Sequence, residues 1–253
     1  MKQRPRPEIT RQSVAAGVKK GLRILHLSDL HGTWFGEGQE EIVRLSAQSR
    51  PDIVAITGDF IDRTCDEQAS VRLVERLAEI APVYCVTGNH EEREMAAGAA
   101  SYRRLIEAMG RIANARLLRG ETVCLTDEIT LTGADDYDFI GGREAYPAYL
   151  KRLSAEPHGR YRILLAHRPE MFDCYAEAGF DLTLSGHAHG GQIRLPLVGG
   201  LFAPGQGIFP RLTSGIYVHA NGKRMFVSRG LGNSVPVPRL FNRPEMTVIE
   251  IGR

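Results

Sequence analysis

The chain has 253 residues, 43% of them hydrophobic and 25% charged, which suits an ordinary α/β domain with a sizeable core. No apolar run is long enough to span a bilayer, and the opening "MKQRPRPEITRQ" lacks the apolar centre of an export signal, so a membrane-embedded or exported chain is not expected. Four cysteines (Cys65, Cys85, Cys124 and Cys174) stand at no metal-ligand spacing, which argues against a disulfide framework or zinc ribbon; they read as small core residues.

The net charge of +2 hides an asymmetry. Residues 1–23 carry seven bases against Glu8, and from Leu182 to Pro244 there are seven bases and no Asp or Glu. Such a stretch suits phosphate groups or an anionic membrane, although solvated loops are also often basic.

In chain order, residues 1–20 read as a basic segment ahead of a single domain over 21–253. Apolar runs at 22–29, 52–59 and 82–89 predict buried strands. Helical spacing predicts helices over 39–49 and 67–80 and a third over much of 91–112. Strands alternating with helices imply right-handed crossovers and a parallel sheet. After Asn114 the texture changes to short strands ("RLLRG", "ETVCLT", "EITLTGADD"), then a helix near 142–154. Strands are predicted again at 160–169, 180–187, "GIYVHA", "RMFVSR" and "MTVIEI".

The chemistry lies where the strands end. "SDLHG" supplies Asp29 and His31, "TGDFID" supplies Asp59 and Asp62, "TGNHE" supplies Asn89 and His90, "LLAHRP" supplies His167, and "SGHAHGG" supplies His187 and His189. The carboxyl ends of parallel strands share one edge, so five distant segments are expected to converge there. Carboxylates, imidazoles and an amide without thiolate suit divalent Mn, Fe or Zn. In an extended segment, residues two apart point the same way, so each pair can reach one site; seven ligands are too many for one ion and suit two, with His187 and His189 expected as ligands to neighbouring metals. Each element alone has an ordinary reading, as turn, cap or core histidine. All five in this order do not. His26, His158 and His219 lack that context and are read as structural.

The set D-x-H, G-D-x-x-D, G-N-H-E, H and G-H-x-H, spanning about Gly21 to Gly191, resembles the calcineurin-like metallophosphoesterase superfamily. The resemblance implies two packed mixed β-sheets flanked by helices, a four-layer sandwich. It implies that Asp29, His31, Asp59 and His189 hold one divalent metal, with Asp59 bridging to a second held by Asn89, His167 and His187. His90 is implied to face the substrate phosphate, oriented by Asp62. The implied reaction is hydrolysis of a phosphodiester or pyrophosphate bond by a metal-bridging hydroxide, with Mn as the expected metal.

Within the superfamily, "SGHAHGGQIRLPLVGGLFAPGQG", "VSRGLGNS" and "NRPEMTVIEI" resemble the bacterial branch of phosphodiesterases and UDP-2,3-diacylglucosamine pyrophosphatases. The apolar segment 194–210 is either a loop packed on the core or a lip for acyl chains or a bilayer. Arg194 and Arg229 are candidates to bind substrate phosphate, and equally candidates for surface or ion-pair roles. The expected partners are a phosphodiester or nucleotide-sugar lipid and a peripheral contact with an anionic membrane, at a cytoplasmic location on the inner membrane surface. No obligate protein partner is expected. A nuclease is the competitor within the class, disfavoured by 7% aromatics and the single Trp34. A non-catalytic metal-binding scaffold is the competitor outside it.

Overall fold

Strand residues of the first half alternate strictly between two apolar layers, as the two faces of a sheet require. Leu25, Val54 and Ile56 face helices, while Ile24, Ile53 and Ala55 face a second sheet. A computed structural model of the protein describes residues 6–63, 67–155 and 161–252, leaving Cys65 and His158 outside the described residues.

The elements in order are β1 (Glu8–Ala15), β2 (Leu22–Leu27), α1 (Glu40–Ser49), β3 (Ile53–Thr57), α2 (Glu67–Ala78), β4 (Val83–Val86), α3 (Asn89–Ala96), α4 (Ala100–Arg111) and β5 (Ala115–Leu117). There follow β6 (Glu121–Cys124), β7 (Ile129–Gly133), α5 (Tyr146–Leu153), β8 (Tyr161–Leu165), α6 (Phe172–Glu177) and β9 (Leu182–Ser185). Two small hairpins come next, β10 (Arg194–Leu195) with β11 (Gly199–Gly200) and β12 (Phe202–Ala203) with β13 (Gly207–Ile208). The chain closes with β14 (Gly215–Val218), β15 (Arg224–Val227) and β16 (Glu245–Gly252).

Two six-stranded sheets result, ordered β1-β16-β2-β3-β4-β5 and β14-β15-β9-β8-β7-β6. Both are mixed: β16 runs antiparallel to β2, and β6 and β14 are antiparallel edges of an otherwise parallel second sheet. One apolar layer lies between the sheets, one between the first sheet and α1, α2 and α4, and one between the second sheet and α5 and α6. The four-layer sandwich is therefore the fold. No helix among the described residues is long and apolar enough to cross a membrane.

Several expectations change. Residues 8–15, set apart from the domain in the sequence reading, form β1, whose eight residues all pair in parallel with β16. Basic composition concealed it, because β1 is an edge strand with only Val14 buried. The helix expected over 91–112 is two, divided where Gly98 (φ 66°) takes the left-handed turn that ends α3. Among the described cysteines only Cys85 is buried, and Cys124 is exposed. His26 is a core residue as expected: it is fully buried, bonds Thr57 Oγ1 at 2.8 Å and packs edge-on against Phe226.

Candidate metal centre

Strands β2, β3 and β4 of one sheet and β8 and β9 of the other end at the same edge. The seven candidate ligands lie just beyond, Asn89 as the first residue of α3 and the other six in turns, all of them buried. The loops fit together because two glycines leave room. A Cβ on Gly88 would collide with the Asp59 carboxylate, and one on Gly186 would collide with Ser28 and Asp29.

Asp29, His31, Asp59 and His189 bring one ligand atom each within 4.8 Å of one another, and so do Asp59, His167 and His187. Asp59 belongs to both sets. Its Oδ2 is 3.6 Å from His31 Nε2 and 3.1 Å from His167 Nε2. His31 Nε2 faces His189 Nε2 at 3.2 Å, and His187 Nδ1 faces His167 Nε2 at 3.1 Å. Imidazole nitrogens gathered this closely around one carboxylate are placed to share a cation.

The surroundings support that reading. His167 Nδ1 donates to the Thr57 carbonyl at 2.6 Å, which turns Nε2 toward Asp59 and the centre. Asn89 Oδ1 is buried without a hydrogen-bond partner, which suits a ligand oxygen of the second set. The residues present therefore fit two divalent cations sharing Asp59.

The expected geometry of the paired ligands does not hold. Asp29, His31, Asp59, His187 and His189 have φ between 46° and 66°, so they sit in left-handed turns and not in extended backbone. Asp29 and His31 share one set, and His187 and His189 divide between the two.

Burial governs the electrostatics. It pushes Asp29 up to about 6, lowers His31 to about 4, and holds His187 and His189 well below the ordinary histidine value. Burial also opposes charge on His167 and Asp59, but their mutual attraction prevails: His167 rises to about 10 and Asp59 falls well below the usual carboxylate range. A proton shared by that pair thus offsets part of the negative charge, and a cation would replace it.

His90 stands at the rim, its side chain 15% exposed. Its backbone N–H donates to Asp59 Oδ1 at 3.1 Å, and its ring meets His31 edge-on. Nδ1 pairs with Asp62 Oδ1 at 3.1 Å, which turns Nε2 toward the centre, 3.9 Å from Asp59 Oδ2.

The two proposed arginines are engaged elsewhere. Arg229 pairs with Glu8 and, at 3.1 Å, with Glu245, so its charge ties β1 and β16 to the end of β15 and is not free for a phosphate. Arg194 donates to the Gly190 carbonyl at 2.8 Å and to Thr213 Oγ1 at 3.3 Å, bracing the loop behind His189.

Three residues that matter were missed. Glu91 is fully buried and accepts backbone N–H groups of Asp59 (2.8 Å), Ile61 (3.0 Å) and Gly88 (2.8 Å), so one carboxyl holds two ligand loops. It is the last letter of "GNHE". Asn242 donates to the carbonyls of His189 (2.7 Å) and Gln192 (3.0 Å). Arg239 Nη2 lies 3.0 Å from His189 Nδ1. A guanidinium only donates, so this contact and ligation through His189 Nε2 exclude one another. Asn242 opens the stretch "NRPEMTVIEI", whereas Arg239 belongs to no local motif.

An apolar cleft of about 230 Å³ opens directly beside His189, lined by Ile193, Leu201, Phe202, Val235 and Val237 among others.

The model of the calcineurin-like phosphoesterase family matches residues 22–191. The phosphodiesterase YaeI of Escherichia coli is 29% identical over 90% of this chain and 82% of its own. The UDP-2,3-diacylglucosamine pyrophosphatase LpxG of Chlamydia muridarum is 25% identical over 90% of this chain and 83% of its own. Among solved structures, TT1561 of Thermus thermophilus has the same fold, with a TM-score of 0.53 and 14% identity over 83% of this chain and 90% of that one.

Proposed function

We propose that this chain, which belongs to the calcineurin-like phosphoesterase family and is a metal-dependent phosphoesterase, hydrolyses a phosphodiester or pyrophosphate bond in an amphiphilic substrate such as UDP-2,3-diacylglucosamine. The observation that carries the substrate reading is the apolar cleft ending at His189. At about 230 Å³ it is smaller than the ~300–1,000 Å³ of pockets that enclose a whole drug-sized ligand. It suits one hydrocarbon tail, with the polar part of the substrate left at the metal centre. The similarity to LpxG supports the same class.

Two divalent cations bound here, which we take to be Mn, would supply charge stabilisation of the phosphoryl oxygens and activation of water at neutral pH. The chain's own residues do the rest. Asp59 is placed to bridge, and Glu91 fixes the Asp59 and Gly88 loops so that the ligand atoms are set before substrate arrives. His90, its Nδ1 held by Asp62, presents Nε2 to hold or deliver a proton at the leaving oxygen. Arg239 and Ser234 border the first set and would meet the substrate from the cleft side.

The second reading is a phosphodiesterase without need of an acyl group, favoured by the similarity to YaeI. The deciding experiment compares UDP-2,3-diacylglucosamine, a simple aryl phosphodiester and single-stranded DNA on Mn-loaded protein, with chelator as control. Preference for the acylated nucleotide sugar supports the first reading, and equal or better turnover of the aryl diester supports the second.

A further inference from the structure

Twelve large apolar side chains are exposed among the described residues, and ten of them lie in 195–209 and 235–241. Leu197 is wholly exposed, Phe241 is 82% exposed, Ile208 74% and Phe209 65%. Isolated surface hydrophobics are ordinary, but a concentration of this kind marks a surface that something covers. Backbone bonds hold the two stretches together. Ile193 bridges Leu240 and Arg194 N donates to the Leu240 carbonyl at 3.0 Å, while within the first stretch Phe209 N donates to the Leu201 carbonyl at 2.9 Å. The β10–β11 and β12–β13 hairpins are thus fixed beside 240–241 while many of their side chains remain in solvent.

The charge of this region indicates what covers it. Leu182 to Pro244 contains no Asp or Glu, so its loops offer no carboxylate to repel an anionic surface. Arg211 is exposed two residues after Phe209. Arg243, two residues after Phe241, keeps more than half of its side chain exposed, its Nη1 3.8 Å from Glu8. A second copy of the chain fits poorly: a two-fold contact would set this acid-free face against itself, arginine toward arginine.

We propose that the 195–209 and 235–241 face docks on an anionic lipid bilayer, with Leu197, Ile208, Phe209 and Phe241 entering the interface and Arg211 and Arg243 meeting headgroup phosphates. Phe202, Val235 and Val237 belong both to this face and to the cleft at His189, so docking brings the cleft mouth to the membrane surface. The docking stands without any assignment of substrate. That it delivers a lipid-anchored phosphodiester rests on the function proposed above.

The test is co-sedimentation of the full Mn-loaded chain with vesicles of phosphatidylcholine and phosphatidylglycerol, compared with vesicles of phosphatidylcholine alone. The wild type is expected to pellet with the anionic vesicles, and less as salt is raised. Leu197→Asp with Phe241→Asp should weaken that binding by at least about tenfold, since two buried apolar side chains are lost from the interface. Turnover of a soluble aryl diester by the double variant should stay at the wild-type level, which excludes misfolding. The proposal fails if the wild type remains in the supernatant, if the double variant pellets equally well, or if sedimentation velocity shows a dimer that the same substitutions dissociate. Vesicle binding is read without substrate, so a chain that docks but ignores UDP-2,3-diacylglucosamine overturns the substrate reading alone.

Discussion

His90 and the strained ligands around it show how single residues carry this site. Five ligands hold left-handed backbone at about 1–3 kcal/mol each, a cost that persists because buried hydrogen bonds, such as those of Glu91 to Asp59 and Gly88, determine the loops. His90 is different: its hydrogen bond to Asp59 comes from its backbone N–H, and its ring is held by Asp62 with Nε2 3.9 Å from Asp59 Oδ2. Replacing His90 with Ala should therefore lower kcat by about 10²–10⁴ while metal content, measured by elemental analysis, stays near that of the wild type. Full activity in that variant would remove the proton-handling role assigned to it.

At the level of elements, the edge strand β1 depends on one buried charge cluster. Arg229 joins Glu8 of β1 to Glu245 of β16, and Thr10 Oγ1 also donates to Glu245 at 2.8 Å. Glu245 is only 4% exposed, so removing its cation leaves a buried carboxylate unpaired. Arg229→Ala is expected to cost about 3 kcal/mol in denaturant unfolding while the KM for an aryl diester stays unchanged. A large rise in KM with stability intact would instead assign Arg229 to substrate binding. The same cluster explains why β1 was hard to read: a half-exposed edge strand lacks the continuous apolar run by which the inner strands announce themselves.

At the level of the molecule, the metal ligands come from both sheets, Asp29, His31, Asp59 and Asn89 from the first and His167, His187 and His189 from the second. Bound cations would thus cross-link the sandwich. Excess Mn should raise Tm by about 5–10 °C relative to chelator-treated protein in calorimetry, the effect of free metal at roughly a hundred times Kd on a chain of this size. An unchanged Tm would argue against a site spanning both sheets. The layer between the sheets also sets a pH dependence. Burial lowers His26 from the ordinary 6.5 to about 3, so the unfolded chain binds its proton more readily than the folded one. The stability owed to neutral His26 is complete above about pH 6.5 and is lost as pH falls toward 3. In metal-free protein, His26→Gln should show a shallower fall in Tm over that window, and an identical slope would locate the titration elsewhere.

The inner strands, the order of the five motifs and the ligand types were legible in the sequence because each is local: a run of Val, Ile and Leu declares a buried strand, and a donor set declares a class of metal. The left-handed backbone of Asp29, His31, Asp59, His187 and His189 was not, because an extended reading of "SDLHG" and "GHAHGG" does not contain it. Arg239 and Asn242 lie about 50 residues from His189, which both contact, and no spacing rule links them to it. Arg229 shows the same limit from the other side: its residue type permits phosphate binding, and only the arrival of Glu8 and Glu245 beside it decides that its charge is already used. Donor chemistry belongs to the residue, whereas partnership belongs to the packing that brings distant segments within a few ångströms.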